Sequence, residues 1–154
     1  MRVHNVAPTF SKQHGDFVLT MANDIVLVNA RGPWNKECVE NFGVAYAGSV
    51  YQSAKLRWAD IVMLTGESLL VPDAEAALRV RIERAAMAGL AQVFVVTERS
   101  SVAATSTRQI KALYAGLPVT LEIVNTLDSA VQRCSELGFD CDPQAVKAFF
   151  KKPF

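Results

Sequence analysis

Two short stretches gather the polar side chains that could do chemistry. In the first, Glu67 and Ser68 are followed closely by Asp73 and Glu75. Paired carboxylates can serve as acid and base when their surroundings separate their pKa values, and the Glu67/Ser68/Asp73 cluster is the one enzyme-like grouping in the chain. Such work needs a catalytic base, and neither His4 nor His14 falls in the part of the chain patterned as core. The plainer reading is a solvated loop and an acidic first helical turn, since acids are favoured at the positive end of a helix. The second stretch is Thr97-Glu98-Arg99-Ser100-Ser101, with Thr105 and Arg108 beyond it. Arg99, Ser100 and Ser101 at a helix start could hold a phosphate or carboxylate. No glycine-rich loop accompanies them, and serine capping alone accounts for Ser100 or Ser101.

The remaining reactive side chains form no constellation. Cys38, Cys134 and Cys141 are odd in number and lack metal-ligand spacing, which predicts free thiols in a reducing cytoplasm, with no metal and no cofactor. Cys38 near a helix start and Cys134 on an apolar stripe read as packing residues. The two histidines precede the patterned core and read as surface groups rather than ligands.

The elements that must position these groups follow from periodicity. Asp16 opens a hairpin, Phe17-Val18-Leu19-Thr20 and Ile25-Val26-Leu27-Val28 around Asn23-Asp24, a pair suited to a tight turn. Arg31-Gly32-Pro33 ends the second strand. Asn35 caps a long helix whose stripe is Val39, Phe42, Tyr46 and Val50, and Gly43 leaves room for a backbone to approach. Ile61-Val62-Met63-Leu64 is the central strand, apolar throughout as a strand buried on both faces would be. A loop with Gly66, Glu67 and Ser68 leads to Pro72, which opens the central helix; Ala74, Leu78, Ile82 and Ala85 face its core, and Glu75 and Arg79 are spaced for an ion pair. Val93-Phe94-Val95-Val96 is the next strand, followed by a helix to about Ala115. A further strand spans residues 119–124 and alternates as an edge strand does. Asn125 or Thr126 caps another helix, and Asp142-Pro143 starts the last. Helices between successive apolar strands imply right-handed crossovers and a mostly parallel sheet, mixed because of the hairpin. This is an α/β fold.

Composition bounds the rest. The chain has 154 residues, enough for one domain with a sizeable core. Its net charge of +1 disfavours nucleic-acid binding, which goes with a basic excess. No apolar run reaches the length of a membrane span, and residues 1–16 lack the apolar core of a secretory signal. Residues 1–15 read as a loosely held lead-in, residues 16–138 as the α/β domain, and residues 139–154 as a helical extension packed on it. Phe149, Phe150 and Phe154, with Ala76, Val80 and Met87 on the central helix, suggest a homodimer contact or a helix folded back on the domain.

The hairpin, the Gly32-Pro33-Trp34 turn into a long helix, the apolar strand feeding the element at residues 59–89, and Leu127-Asp128-Ser129-Ala130 at a late helix start resemble the STAS domain. This is the sulfate-transporter and anti-sigma-factor-antagonist group, also called SpoIIAA-like, and the likeness is greater to its stand-alone bacterial members. The resemblance implies a SpoIIAA-like (STAS-like) fold and a non-catalytic regulatory or protein-interaction role. Regulatory members carry a phosphorylated serine in an Asp-Ser-Ser-Gly type motif after the central strand. Here Val71, Pro72 and Asp73 stand there, so the phosphorylatable hydroxyl is missing. The expected interaction surface is Gly66, Glu67, Ser68, Leu69, Leu70, Val71, Pro72, Asp73 and Glu75, meeting a protein partner or a second copy. The alternative is a carrier of a small apolar, lipid-like ligand, with a cavity lined by residues such as Phe42, Tyr46 and Met63.

Overall fold

A computed structural model describes residues 12–152 and 154. Five strands among them make one sheet in the order β1 (Asp16–Ala22), β2 (Ile25–Trp34), β3 (Trp58–Leu70), β4 (Leu90–Ser100), β5 (Thr120–Val124). β1 and β2 pair antiparallel around Asn23-Asp24, with Asn23 at φ 54°, and every later pair is parallel. The mixed, mostly parallel sheet with an opening hairpin is therefore the observed architecture.

Parallel pairing of neighbours requires a crossover between them, and the connecting helices supply it. α1 (Lys36–Ser53) joins β2 to β3, α2 (Pro72–Ala88) joins β3 to β4, and α3 (Ala103–Tyr114) joins β4 to β5. α4 (Leu127–Glu136) and α5 (Pro143–Lys151) follow. Alternation along the strands divides the core in two. Ile25, Leu27, Ile61, Met63, Phe94 and Val96 face α4 and α5, where Cys134, Val146 and Phe150 are buried. Val26, Val28, Trp58, Leu64, Val93 and Val95 face the other way, toward α1, α2 and α3. Strands apolar on both sides are what a sheet covered on both faces demands.

Several ends of elements differ from the sequence reading. β3 does not stop at Leu64: residues 66–70, expected as a loop, continue the strand. Gly66 pairs with Gly32 and Ser100, and Leu70 with Trp34. The glycine, at φ 64°, takes the irregular step where the register shifts, so it marks a bulge rather than the strand's end. Likewise β4 runs through Ser100, and the cap of α3 is Val102 rather than Ser100 or Ser101. Ser100 still contributes there, because its Oγ accepts from the Val102 N–H at 3.2 Å.

At Gly32 a side chain would lie 2.5 Å from the Glu67 carbonyl oxygen, so the close approach of β2 to the end of β3 depends on glycine. Three caps match the sequence: Asn35 Oδ1 accepts from Cys38 N–H at 3.0 Å, Thr126 Oγ1 from Ser129 N–H at 3.2 Å, and Asp142 Oδ1 from Gln144 N–H at 3.0 Å. The expected Glu75–Arg79 pair is not formed. Arg79 meets Glu83 at 3.6 Å instead and donates to the last carbonyls of α3, while Glu75 accepts from Gln109 at 3.3 Å.

Candidate functional site

Between the sheet and α1, α2 and α3 lies a cavity of about 380 Å³. That volume falls in the range of small-molecule sites. Its floor is β2 and β3, through Val28, Ala30, Trp58, Asp60, Val62 and Leu64. α1 lends Phe42, Tyr46 and Val50, α2 lends Leu78, Ile82 and Ala85, and α3 lends Ile110 and Tyr114. Small residues keep the space open: Ala47 on α1 and Ala85 and Ala88 on α2 line it where longer side chains would close it. Gly43 acts on the same seam. A Cβ there would come within 2.7 Å of Arg81 Nε, so the glycine makes room for an arginine side chain, not for the backbone expected from sequence.

Asp60 stands out in this apolar wall. It sits on the central strand between Val26 of β2 and Val93 of β4 and is 5% exposed. Its Oδ1 accepts from the Tyr46 hydroxyl at 2.7 Å, and the Tyr46 oxygen in turn accepts from Trp58 Nε1–H at 2.9 Å. The indole can only donate, so the Tyr46 proton is committed to Asp60. Among the described residues Tyr46 is the one hydrogen-bond donor to this carboxyl, and no lysine or arginine lies within ion-pair distance of it. Burial pushes the Asp60 pKa up to about 7 against the opposing hydrogen bond from Tyr46. Tyr46 and Tyr114 are also held above the usual phenol range, first by burial and then by the charge of Asp60.

The aromatic lining continues toward the hairpin. Trp34, Phe42 and Tyr46 stack in sequence at 5.2 and 5.6 Å between centroids, with Phe17 set edge-on to Phe42 at 5.5 Å. Arg81 and Arg84 bring positive charge to the α2 side. Such an arrangement can enclose an apolar body and meet one polar group at Asp60.

Of the cavity residues expected from sequence, Phe42 and Tyr46 line this space. Met63 does not: strand alternation turns it to the opposite face, against α4 and α5. Sequence reasoning also missed Asp60, because it started the strand one residue later, at Ile61. A signal was present. Trp58, Asp60 and Val62 share one parity of a strand whose other parity, Ala59, Ile61 and Met63, is wholly apolar.

The two other expected sites meet at the end of the sheet, where Ser68 touches Ser100 and Gly66 pairs with Ser100. Ser68 is held inside the fold, its Oγ 2.9 Å from Ser100 Oγ and 2.8 Å from Ser106 Oγ. The Gln109 side chain imitates a strand beside Leu70, accepting from its N–H at 3.1 Å and donating to its carbonyl at 3.0 Å. Leu69 and Leu70 line the cavity, as does Gly32 opposite them. Val71, Pro72 and Asp73 form an exposed corner at the start of α2, Glu67 is exposed on the strand, and Glu75 is half-buried against Gln109. Arg99 and Ser100, neighbours on β4, point to opposite faces: Arg99 Nη1 donates to the Phe150 carbonyl at 2.9 Å, whereas Ser100 turns to Ser68. The Ser101 N–H donates to the Gly66 carbonyl at 2.9 Å.

His4 lies outside the described residues, and His14 is tied through its backbone to Asn35, at 3.0 Å to Oδ1. Cys38 and Cys134 are buried, and burial pushes both thiols up to about 12. Phe150 is buried and Phe149 packs edge-on against it at 4.9 Å. Phe154 lies under the Arg31 guanidinium at 4.5 Å, and Val80 and Met87 are exposed on α2. Among the described residues no group of acids, cysteines and histidines could hold a metal, and no helix is long and apolar enough to cross a membrane. Compared with protein-family models, curated proteins and solved structures, the chain matches none of them.

Proposed function

We propose that this chain binds a small, mostly apolar ligand in the cavity between the sheet and the helix layer of α1, α2 and α3, as a carrier or sensor rather than an enzyme. The observation that supports this most is a 380 Å³ apolar cavity with one buried carboxyl in its wall. A protein selected for stability alone would fill such a space with side chains, because close packing of apolar groups stabilises a fold. It would also avoid a desolvated acid with a single hydrogen-bond donor. The binding role is part of the same proposal as the STAS or SpoIIAA-like resemblance, which the opening hairpin and mixed sheet support.

The test is uptake of Nile red, a neutral apolar dye whose emission rises when it leaves water. Wild-type protein should bind it saturably, with one site per chain. Ala85→Phe, which puts a ring into the space from the α2 side, should weaken uptake at least tenfold while the circular dichroism of the fold is kept. Wild-type protein that leaves the dye in water would sink the cavity reading. The exposed Val71-Pro72-Asp73 corner would then carry the protein-partner reading.

A further inference from the structure

The cavity reading leaves open which polar group a ligand would bring to Asp60, and the hydrogen bonds there narrow the choice. Resting on that reading, we infer that the ligand carries a protonated amine on an apolar body, and that this ammonium pairs with the free oxygen of Asp60. Three observations favour a cation over a neutral or anionic group.

The first is directional. Trp58 Nε1–H occupies the Tyr46 oxygen, which commits the Tyr46 proton to Asp60 Oδ1. The network therefore presents Asp60, a residue of the cavity wall, as an acceptor, and no donor among the described residues occupies its Oδ2. Second, the carboxyl has no ion-pair partner among the described residues: Arg81 and Arg84 line the same cavity from α2, yet neither lies within 4.0 Å of it. An ammonium would supply the missing charge in surroundings where an ion pair is poorly screened. Third, the rings of Tyr46, Trp58 and Tyr114 share the lining with Asp60, and aromatic faces attract cations but not carboxylates. A ligand acid would set two carboxyls against each other, and only one of them could ionise.

Protonation gives the inference its own signature. The titratable and charged groups that share the cavity with Asp60 are Tyr46 and Tyr51 of α1, Arg81 and Arg84 of α2, and Tyr114 of α3. Asp60, with its pKa pushed up to about 7 by burial, is the group among them that changes charge near neutrality. A primary alkyl amine, like lysine, stays protonated up to about pH 10. Amine affinity should therefore climb as Asp60 ionises, by close to tenfold per pH unit below its pKa, and level off above it.

Octylamine, octanol and octanoate share one chain and differ in head group, so calorimetric titration of wild-type protein with each isolates the head. At about pH 8, octylamine should bind at least tenfold tighter than octanol. Its affinity should fall between pH 8 and pH 6 while that of octanol stays flat. In Asp60→Asn, which keeps an oxygen for Tyr46, the amine should bind no better than the alcohol. Equal affinity of amine and alcohol for the wild-type protein would overturn the amine inference and leave the cavity reading standing. Tighter binding of octanoate would overturn it too, and would move recognition to Arg81 and Arg84. If none of the three binds, both the inference and the reading beneath it fail. The head-group comparison uses wild-type protein, so it does not depend on the variant folding.

Discussion

Asp60 is a residue whose cost to the fold can be measured. Its folded-state pKa of about 7 stands above the ordinary 3.8, so between those values the folded protein holds a proton that the unfolded chain has released. The contribution of Asp60 to stability is thus complete below the lower value and is lost as pH rises through the upper one. A rise of that size corresponds to about 4 kcal/mol. Asp60→Asn cannot ionise and should lose this slope: near pH 4 it should match the wild type, and at about pH 8 it should be more stable by up to roughly 4 kcal/mol. Urea unfolding at a series of pH values checks it. Asp24 and Glu122, whose carboxyls are held low by Lys55 and Arg133, bend the curve the other way at more acidic pH. Those effects are common to both proteins, so the difference between the two curves isolates Asp60. A wild type with no excess slope would mean that water reaches the carboxyl.

At the scale of elements, α5 is the counterweight to the open face. Val146 and Phe150 sink into the core beside Cys134 and Phe139, and Arg99 reaches from β4 to the carbonyl of Phe150. Phe150 is 1% exposed, so Phe150→Ala should cost about 3–5 kcal/mol, read as a lower urea midpoint with an unchanged slope. Much of this layer was legible in the sequence, because Asp142-Pro143 and the Val131/Cys134 stripe are local signals of helix start and buried face. The strands were legible only in their middles. Gly66 interrupts the apolar run, and what keeps residues 66–70 in the sheet is pairing with Gly32, Trp34 and Ser100, partners more than thirty residues away. The ties of Ser106 and Gln109 to the end of β3 are equally long-range, and no spacing in the sequence announces them. Asp60 was missed for a related reason. A lone acid beside an apolar run looks like the residue before a strand until the register shows it paired between two valines.

Taken as a whole, the molecule is a sheet with unlike sides. On one, α4 and α5 pack against Phe94, Ile61 and Met63; on the other, α1 and α2 span a cavity and meet partly through the arginine laid over Gly43. Local opening is easiest where a helix wholly buries little of its length. α1 and α2 so bury Cys38, Val39, Gly43, Ala74 and Ile82, while the much shorter α4 and α5 bury as many, Ala130, Val131, Cys134, Val146 and Phe150, so the α1–α2 side should open at lower free energy. Hydrogen exchange followed by mass spectrometry should show it, with amides of α1 and α2 exchanging sooner than those of α4. A ligand held in the cavity opposes every opening that releases it. At a free concentration about a hundred times its Kd it adds about 2.7 kcal/mol to such openings, which slows their exchange roughly a hundredfold. Saturating Nile red should therefore slow α1 and α2 by that order and leave openings confined to α4 and α5 nearly unchanged. Uniform slowing over both layers would mean that exchange goes through global unfolding and that the two sides stand or fall together. Slowing confined to α4 and α5 would place the dye on the wrong face and would count against the cavity as its site.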